Sequence, residues 1–189
     1  MLVVAEREEL PVSDARAGAP EAWSVLFKRY QLPLYVYVVE LVHDEQSALD
    51  VVQETFINAA RYIGSLREDE KFGSWLFGIA HQKCIQRWRE QSRQEMLREE
   101  LADGETALGA AREFEEQPDE WLIRREQEAE FMKLLNALPV PQRSVLLLHF
   151  IEEFSLEEIA AITATPLGTV KSRLHYAKKA FRKVIEDQL

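Results

Sequence analysis

The sequence predicts an all-α protein of two small helical domains joined by an acidic linker, the second domain being a helix-turn-helix. Three observations carry this. Apolar residues recur at three- and four-residue intervals over long stretches, runs with strand alternation are few, and glycine and proline number only seven each in 189 residues. The helical pattern dissolves once, between Glu95 and Glu120, where ten carboxylates stand against two arginines. Near the C-terminus a capped helix, a turn and a cationic helix follow one another at close spacing.

After an N-terminal segment, residues 1–19, the first helix is expected from Pro20 to about Leu41, offering Trp23, Leu26, Phe27, Tyr30, Leu34 and Val38 as its apolar face. The second opens at Asp44 as N-cap and stops at Gly64, read as a left-handed C-terminal residue. A third covers about Lys71 to Gln94 and packs its stripe of Phe72, Trp75, Leu76, Ile79, Ala80 and Cys84 on the first two. Residues 20–94 thus form one domain. The acidic stretch 95–118 reads as a linker with partial helix. A tether of ~25 residues spans several tens of ångströms when extended, which would let the two domains be positioned independently. Helical periodicity returns from Asp119 to Leu138, breaks at Pro139 and Pro141, and resumes from Gln142 to Phe150 within a second domain, 119–189.

Ser155 stands three residues before Glu158, the spacing of a capping box, so a helix starts at about Leu156. Thr165-Pro166 supplies a second start, an N-cap oxygen followed by a proline at the first helical position. Ile159, Ala160 and Val170 fall where a helix-turn-helix needs an apolar contact, a close crossing and a second anchor. Beyond Val170, Leu174, Ala177, Phe181 and Val184 repeat toward the core, which turns Thr169, Ser172, Tyr176, Lys179 and part of His175 outward. Between Lys171 and Lys183 there are six cations and no carboxylate. A solvated basic surface helix would carry these cations too, but not a capped helix and turn at this spacing. The reading is a helix that enters a DNA groove and neutralises phosphates.

Composition narrows the rest. The net charge of −10 argues against a uniformly basic DNA binder, so nucleic-acid contact must be local or lean on a larger partner. A single cysteine, Cys84, excludes an internal disulfide, and the four histidines are scattered, so no metal cluster and no cofactor are expected. The start of the chain lacks a secretory pattern and no apolar run approaches ~18 residues, so direct membrane insertion is not expected and a cytoplasmic location is.

Asp50-Val-Val-Gln-Glu-Thr-Phe, Phe72-Gly-Ser-Trp-Leu-Phe-Gly-Ile-Ala, Leu138-Pro-Val-Pro-Gln-Arg-Ser-Val-Leu-Leu-Leu and Ser155-Leu-Glu-Glu-Ile-Ala with Pro166-Leu-Gly-Thr-Val-Lys-Ser-Arg-Leu-His occur in this order. Together they closely resemble the extracytoplasmic-function sigma factors of bacterial RNA polymerase, over about residues 15 to 185. Ala15-Arg-Ala-Gly-Ala-Pro-Glu-Ala-Trp is similar to that family's opening. The resemblance implies a non-enzymatic initiation factor that binds core RNA polymerase and promoter DNA and is held in check by an anti-sigma factor. Its first domain would meet polymerase and the −10 element, and its second would read the −35 element. An acidic linker fits a cationic nucleic-acid channel on the way to the RNA exit path.

By this resemblance Asp50, Gln53 and Glu54 match the helix that grips the polymerase clamp, and their spacing does put them on one face. Ser65 to Lys71 fits the loop that captures the unpaired −10 strand. Lys71, Trp75, His81, Gln82, Lys83 and Arg89 become −10 candidates; His81, Gln82, Ile85 and Arg89 share the face opposite the apolar stripe, and Arg87 and Arg93 add positive charge. Trp75 lies at the edge of the apolar stripe, where core packing competes with base stacking. Thr169, Lys171, Ser172, Arg173, His175, Tyr176 and Lys179 become −35 candidates. The family usually has Asn where Gln82 stands, Asp at Gln86, often Arg at Tyr176 and Gly at Ala164. The first three bear on promoter preference. At the fourth, a left-handed turn would burden alanine by about 1 kcal/mol.

The alternative is a stand-alone helix-turn-helix transcriptional regulator, which would bind duplex DNA by itself and leaves the Asp50-to-Phe56 motif without a reason. A small hydrolase built on paired carboxylates is a third reading. Its glutamates, however, are not gathered with His, Cys or a glycine-rich loop, so no catalytic residues are assigned.

Overall fold

Pro20 has a fixed φ and no N–H to leave unpaired, and it opens a helix of 23 residues. The computed structural model describes residues 10–101, 132 and 134–186. Among them every regular element is helical: α1 (Val12–Arg16), α2 (Pro20–Val42), α3 (Glu45–Tyr62), α4 (Phe72–Leu101), α5 (Val140–Ile151), α6 (Leu156–Ile162) and α7 (Leu167–Glu186), with 3-10 turns at Ile63–Ser65 and Asp69–Lys71. Residues 134–137 are also helical.

Most expected starts fall where their caps put them. Asp44 Oδ1 accepts from the Ser47 N–H at 2.7 Å and begins α3. At α6 the capping box closes in both directions, the Glu158 N–H donating to Ser155 Oγ at 3.2 Å and the Ser155 N–H to Glu158 Oε2 at 2.9 Å. Pro139 is the N-cap of α5 and Pro141 lies in its first turn, so the prolines that end one helical pattern begin the next.

Three local expectations need correction. Gly64 is not left-handed; it sits inside a 3-10 turn, and the left-handed stop belongs to His43, φ 55°, at the end of α2. The reason is geometric. The chain reverses between α2 and α3 within two residues, which needs a left-handed residue, whereas the turn from α3 to α4, which also pack together, is spread over residues 63–71 and its two 3-10 turns. Thr165 does not cap α7: its hydroxyl meets Thr163 Oγ1 at 2.8 Å, while the carbonyl of Pro166 accepts from the Thr169 and Val170 N–H groups, and the helix begins at Leu167. Third, α4 continues past Gln94 to Leu101, so the first residues of the stretch read as linker are helical. The remainder of that stretch and the expected helix start at Asp119 lie outside the described residues.

The stripe residues Leu26, Leu34, Val38, Phe72, Leu76 and Ala80 are all buried. Phe27 is not: it is 42% exposed and tilts against Phe56 at 4.8 Å, at the rim of the α2–α3 contact. Tyr37 and Phe77, outside the expected stripes, are wholly buried. They belong to a second face of α2 and α4, on which the C-terminal helices sit. Here α5 packs on α2, α6 packs on α4, and Phe77 meets Phe154 edge-on at 5.3 Å. The two helical groups therefore share one core instead of standing apart on a tether. That second apolar face is the physical reason: left uncovered it would expose two aromatic side chains to water.

Ala164, in the turn between α6 and α7, has φ 48°, the left-handed conformation that suits glycine. Strain of about 1–2 kcal/mol at alanine is offset in part by the roughly 0.4–1 kcal/mol that glycine adds to unfolded-chain entropy. Ala164→Gly is expected to stabilise the protein by about 0.5–1 kcal/mol, read as a higher midpoint in urea unfolding.

Candidate polymerase and nucleic-acid interfaces

Burial of Val170, Leu174 and Ala177 fixes which side of α7 meets solvent. Lys171, Ser172, His175, Tyr176, Lys178 and Lys179 are exposed, and Thr169 and Arg173 are half-buried. Ser172 Oγ donates to the Gly168 carbonyl at 3.0 Å, and the Lys178 ammonium lies 5.7 Å from the centre of the Phe150 ring. Among the described residues none of Lys171, Arg173, Lys178 and Lys179 forms an ion pair with a carboxylate. A cationic helix face without internal counter-ions is chemically suited to a phosphate backbone.

The −10 candidates divide. Gln82 and Arg89 are exposed and line a groove of about 860 Å³, with Ile85 and Arg93 beside them and Thr163, Ala164 and Thr165 of the helix-turn-helix opposite. Lys71 is exposed and pairs with Glu68 at 2.7 Å. Trp75 is half-buried, its ring 5.9 Å from that of Phe72. His81 is only 8% exposed, at the inner edge of the groove. Its Nδ1 lies 2.7 Å from the Tyr37 hydroxyl, which is in turn 2.8 Å from Ser144 Oγ. Burial, reinforced by the charge of Arg173, pulls the His81 ring down to a pKa of about 4 and so keeps it neutral near pH 7. A neutral ring lets the Tyr37 O–H donate to Nδ1 while Ser144 donates to the Tyr37 oxygen. Cys84, one turn further on, is pushed up to about 12 by burial, so its thiol is inert and structural.

On α3 the inward set is Val51, Val52, Thr55 and Ala59, which turns Gln53 and Glu54 fully outward and Asp50 partly so. These three share a face, as expected. They are also tied to α4: Lys83 Nζ reaches Glu54 Oε2 at 2.7 Å, and an Arg87 nitrogen lies 3.5 Å from Glu54 Oε1 and 3.9 Å from Asp50 Oδ2. The hydrogen bond from Lys83, with smaller help from its charge and from Arg87, holds the Glu54 carboxyl below the usual carboxylate range.

Two further clamps hold the C-terminal helices on the N-terminal ones. Arg143, 4% exposed, donates to the Glu40 carbonyl at 2.7 Å and to the Asn136 and Leu138 carbonyls at 3.0 Å each, and also meets His43 Nε2. Arg29 forms a two-armed pair with Glu152 at 3.1 and 2.8 Å. Tyr37 and Glu152 did not stand out in the sequence, and Arg143 and Ser144 did so only as members of the Leu138-to-Leu148 motif, with no role of their own. The signal that was available is Arg143-Ser144 leading straight into Val145 to Leu148, two polar residues at the head of a buried apolar run.

A helix-turn-helix with a cationic face that forms no ion pair among the described residues, packed on a helical bundle, defines a protein of the nucleic-acid-binding class. Comparisons with known proteins specify it further. Residues 26–94 match Sigma-70 region 2, and residues 128–181 match Sigma-70, region 4. The RNA polymerase sigma-H factor of Pseudomonas aeruginosa is 32% identical over 194 residues, covering 100% of this chain and 98% of that protein. The ECF RNA polymerase sigma factor SigW of Bacillus subtilis is 29% identical over 178 residues, covering 93% and 95%. The chain belongs to the sigma factors of bacterial RNA polymerase, in their extracytoplasmic-function group. Among solved structures, CnrH in complex with the cytosolic domain of CnrY shares the fold with a TM-score of 0.67 at 21% identity, covering 97% of this chain and 100% of that one. The sigma factor RpoE of Bartonella quintana, solved with the anti-sigma factor NepR, does so with a TM-score of 0.63 at 23% identity, covering 85% and 96%.

Proposed function

We propose that the chain directs core RNA polymerase to promoters, its α3 face docking on the polymerase, α4 and the loop before it holding the −10 element, and α7 reading the −35 element. The observation that carries this is the outward cationic face of α7 on a capped helix-turn-helix, joined to a bundle whose Asp50, Gln53 and Glu54 point away from the core. Nucleotidyl transfer then belongs to the polymerase, and the chain contributes binding alone. The site of action is the cytoplasm, where polymerase and DNA lie; no described helix is long and apolar enough to cross a membrane. Gln82, Arg89 and Lys71 are open to DNA in this closed arrangement. His81 joins them only after the C-terminal helices move off α4. An inhibitory anti-sigma partner completes the reading, as expected for the family.

Two results test it. Asp50→Ala combined with Glu54→Ala should weaken core-polymerase association roughly tenfold or more while leaving the chain folded; unchanged holoenzyme assembly in a titration would refute the α3 assignment. Lys171→Ala should weaken promoter binding by the holoenzyme at all sequences alike and lower the salt slope by about 1. A slope equal to that of the unaltered chain would take Lys171 off the phosphates.

A further inference from the structure

The residues assigned to polymerase and those assigned to −10 DNA are not separate surfaces; they hold one another. Both oxygens of the Glu54 carboxylate are engaged, one by Lys83 at 2.7 Å and the other by Arg87 at 3.5 Å, and Asp50 shares Arg87 at 3.9 Å. The carboxylates are the outer members of the cluster. Side-chain exposure is 49% for Glu54 and 47% for Asp50, against 20% for Lys83 and 29% for Arg87. A cationic group approaching from the polymerase therefore meets the carboxylates first, and can take them only in competition with Lys83 and Arg87. A phosphate approaching α4 meets cations that are already neutralised.

We propose that Glu54 is an exchange residue that occupies Lys83 and Arg87 in the free chain and surrenders them to DNA phosphates when a polymerase cation takes its place. This rests on the assignment of α3 to polymerase and α4 to DNA. It adds a coupling that neither assignment contains. Each partner loosens the pair that masks the other's site, and by linkage the gain is mutual. Exposed ion pairs of this kind shift equilibria by roughly two- to threefold each, so two pairs give a coupling of roughly fourfold to ninefold.

The test needs no polymerase. The full-length chain is titrated with a fluorescent oligothymidine strand across a salt series, unaltered and as Glu54→Gln, with Glu21→Gln as a charge-matched control. Glu21 is exposed in the first turn of α2 and has no ion pair among the described residues. Glu54→Gln should bind the strand roughly four- to ninefold tighter at low salt, with a salt slope steeper by about 0.7 for each cation released. Glu21→Gln should barely change it, and the gain should vanish when Lys83→Ala and Arg87→Ala are added. Equal affinity for Glu54→Gln and the unaltered chain, or an equal gain from Glu21→Gln, overturns the exchange. If adding Lys83→Ala and Arg87→Ala to Glu54→Gln leaves strand binding unchanged, the DNA assignment of these cations falls and takes the exchange with it. If that variant binds more weakly while Glu54→Gln shows no gain, only the exchange falls.

Discussion

Arg143→Ala is expected to destabilise the protein by about 3–5 kcal/mol and to loosen the C-terminal helices from α2. Arg143 is 4% exposed and its guanidinium donates to three carbonyls, those of Glu40, Asn136 and Leu138. Alanine leaves these acceptors facing a cavity too, and each buried unpaired group costs about 1–3 kcal/mol unless water enters. The contacts bridge two parts of the molecule, because Glu40 lies near the end of α2 while Asn136 and Leu138 lead into α5. Arg143→Lys should rescue little, since a single ammonium cannot reproduce a planar fork aimed at separate carbonyls. Urea unfolding of the full chain gives the free energy, and scattering gives the radius of gyration. A loss below about 0.5 kcal/mol would show that the clamp is dispensable.

Acidification is expected to act on the same interface through His81. Its folded pKa of about 4 lies below the ordinary 6.5 because burial penalises the charged ring, with Arg173 adding to the effect. In an opened or unfolded chain the ring regains its ordinary value, so between pH 6.5 and 4 the open state binds a proton that the closed state refuses. Stability of the closed form is thus complete above pH 6.5 and falls as the pH drops toward 4. The full loss approaches about 3 kcal/mol, of which about 2 kcal/mol is reached by pH 5. Carboxylates also titrate at the lower end of this range, so the informative quantity is the difference between the unaltered chain and His81→Gln at each pH. The unaltered chain should lose about 2 kcal/mol more than the variant between pH 7 and pH 5. Parallel pH profiles would mean that His81 is not shielded as described.

How much of this was legible beforehand depended on distance along the chain. The capping boxes and N-caps at Ser155 and Asp44 are encoded within three residues, and both form. The burial of Val170, Leu174 and Ala177 follows from one helical period, and so does the outward set on α7. Ala164 could be picked out because the family it resembles usually has glycine at that turn, and its φ of 48° is the left-handed conformation that glycine suits. The contacts that close the molecule left no comparable mark. Tyr37 and Ser144 are 107 positions apart, and Arg143 and Glu40 are 103 apart. No periodicity joins residues at that range. His81 shows the consequence: on a helical wheel it belongs with Gln82 and Arg89 on the face opposite the apolar stripe, yet the C-terminal helices packed on α4 bury it. Similarly, nothing in the spacing of Asp50 and Glu54 could reveal that Lys83 and Arg87 already hold them.

The claim on which the functional account stands is that this chain confers promoter choice on a polymerase. Its most direct measurement is in vitro transcription by bacterial core polymerase on a promoter library, with and without the chain. The account predicts transcripts starting a fixed distance downstream of a shared pair of sequence elements, present only when the chain is added and lost with Asp50→Ala and Glu54→Ala. Specific duplex binding by the chain alone, with no change in the transcripts made by core polymerase, would contradict it and favour a free-standing regulator.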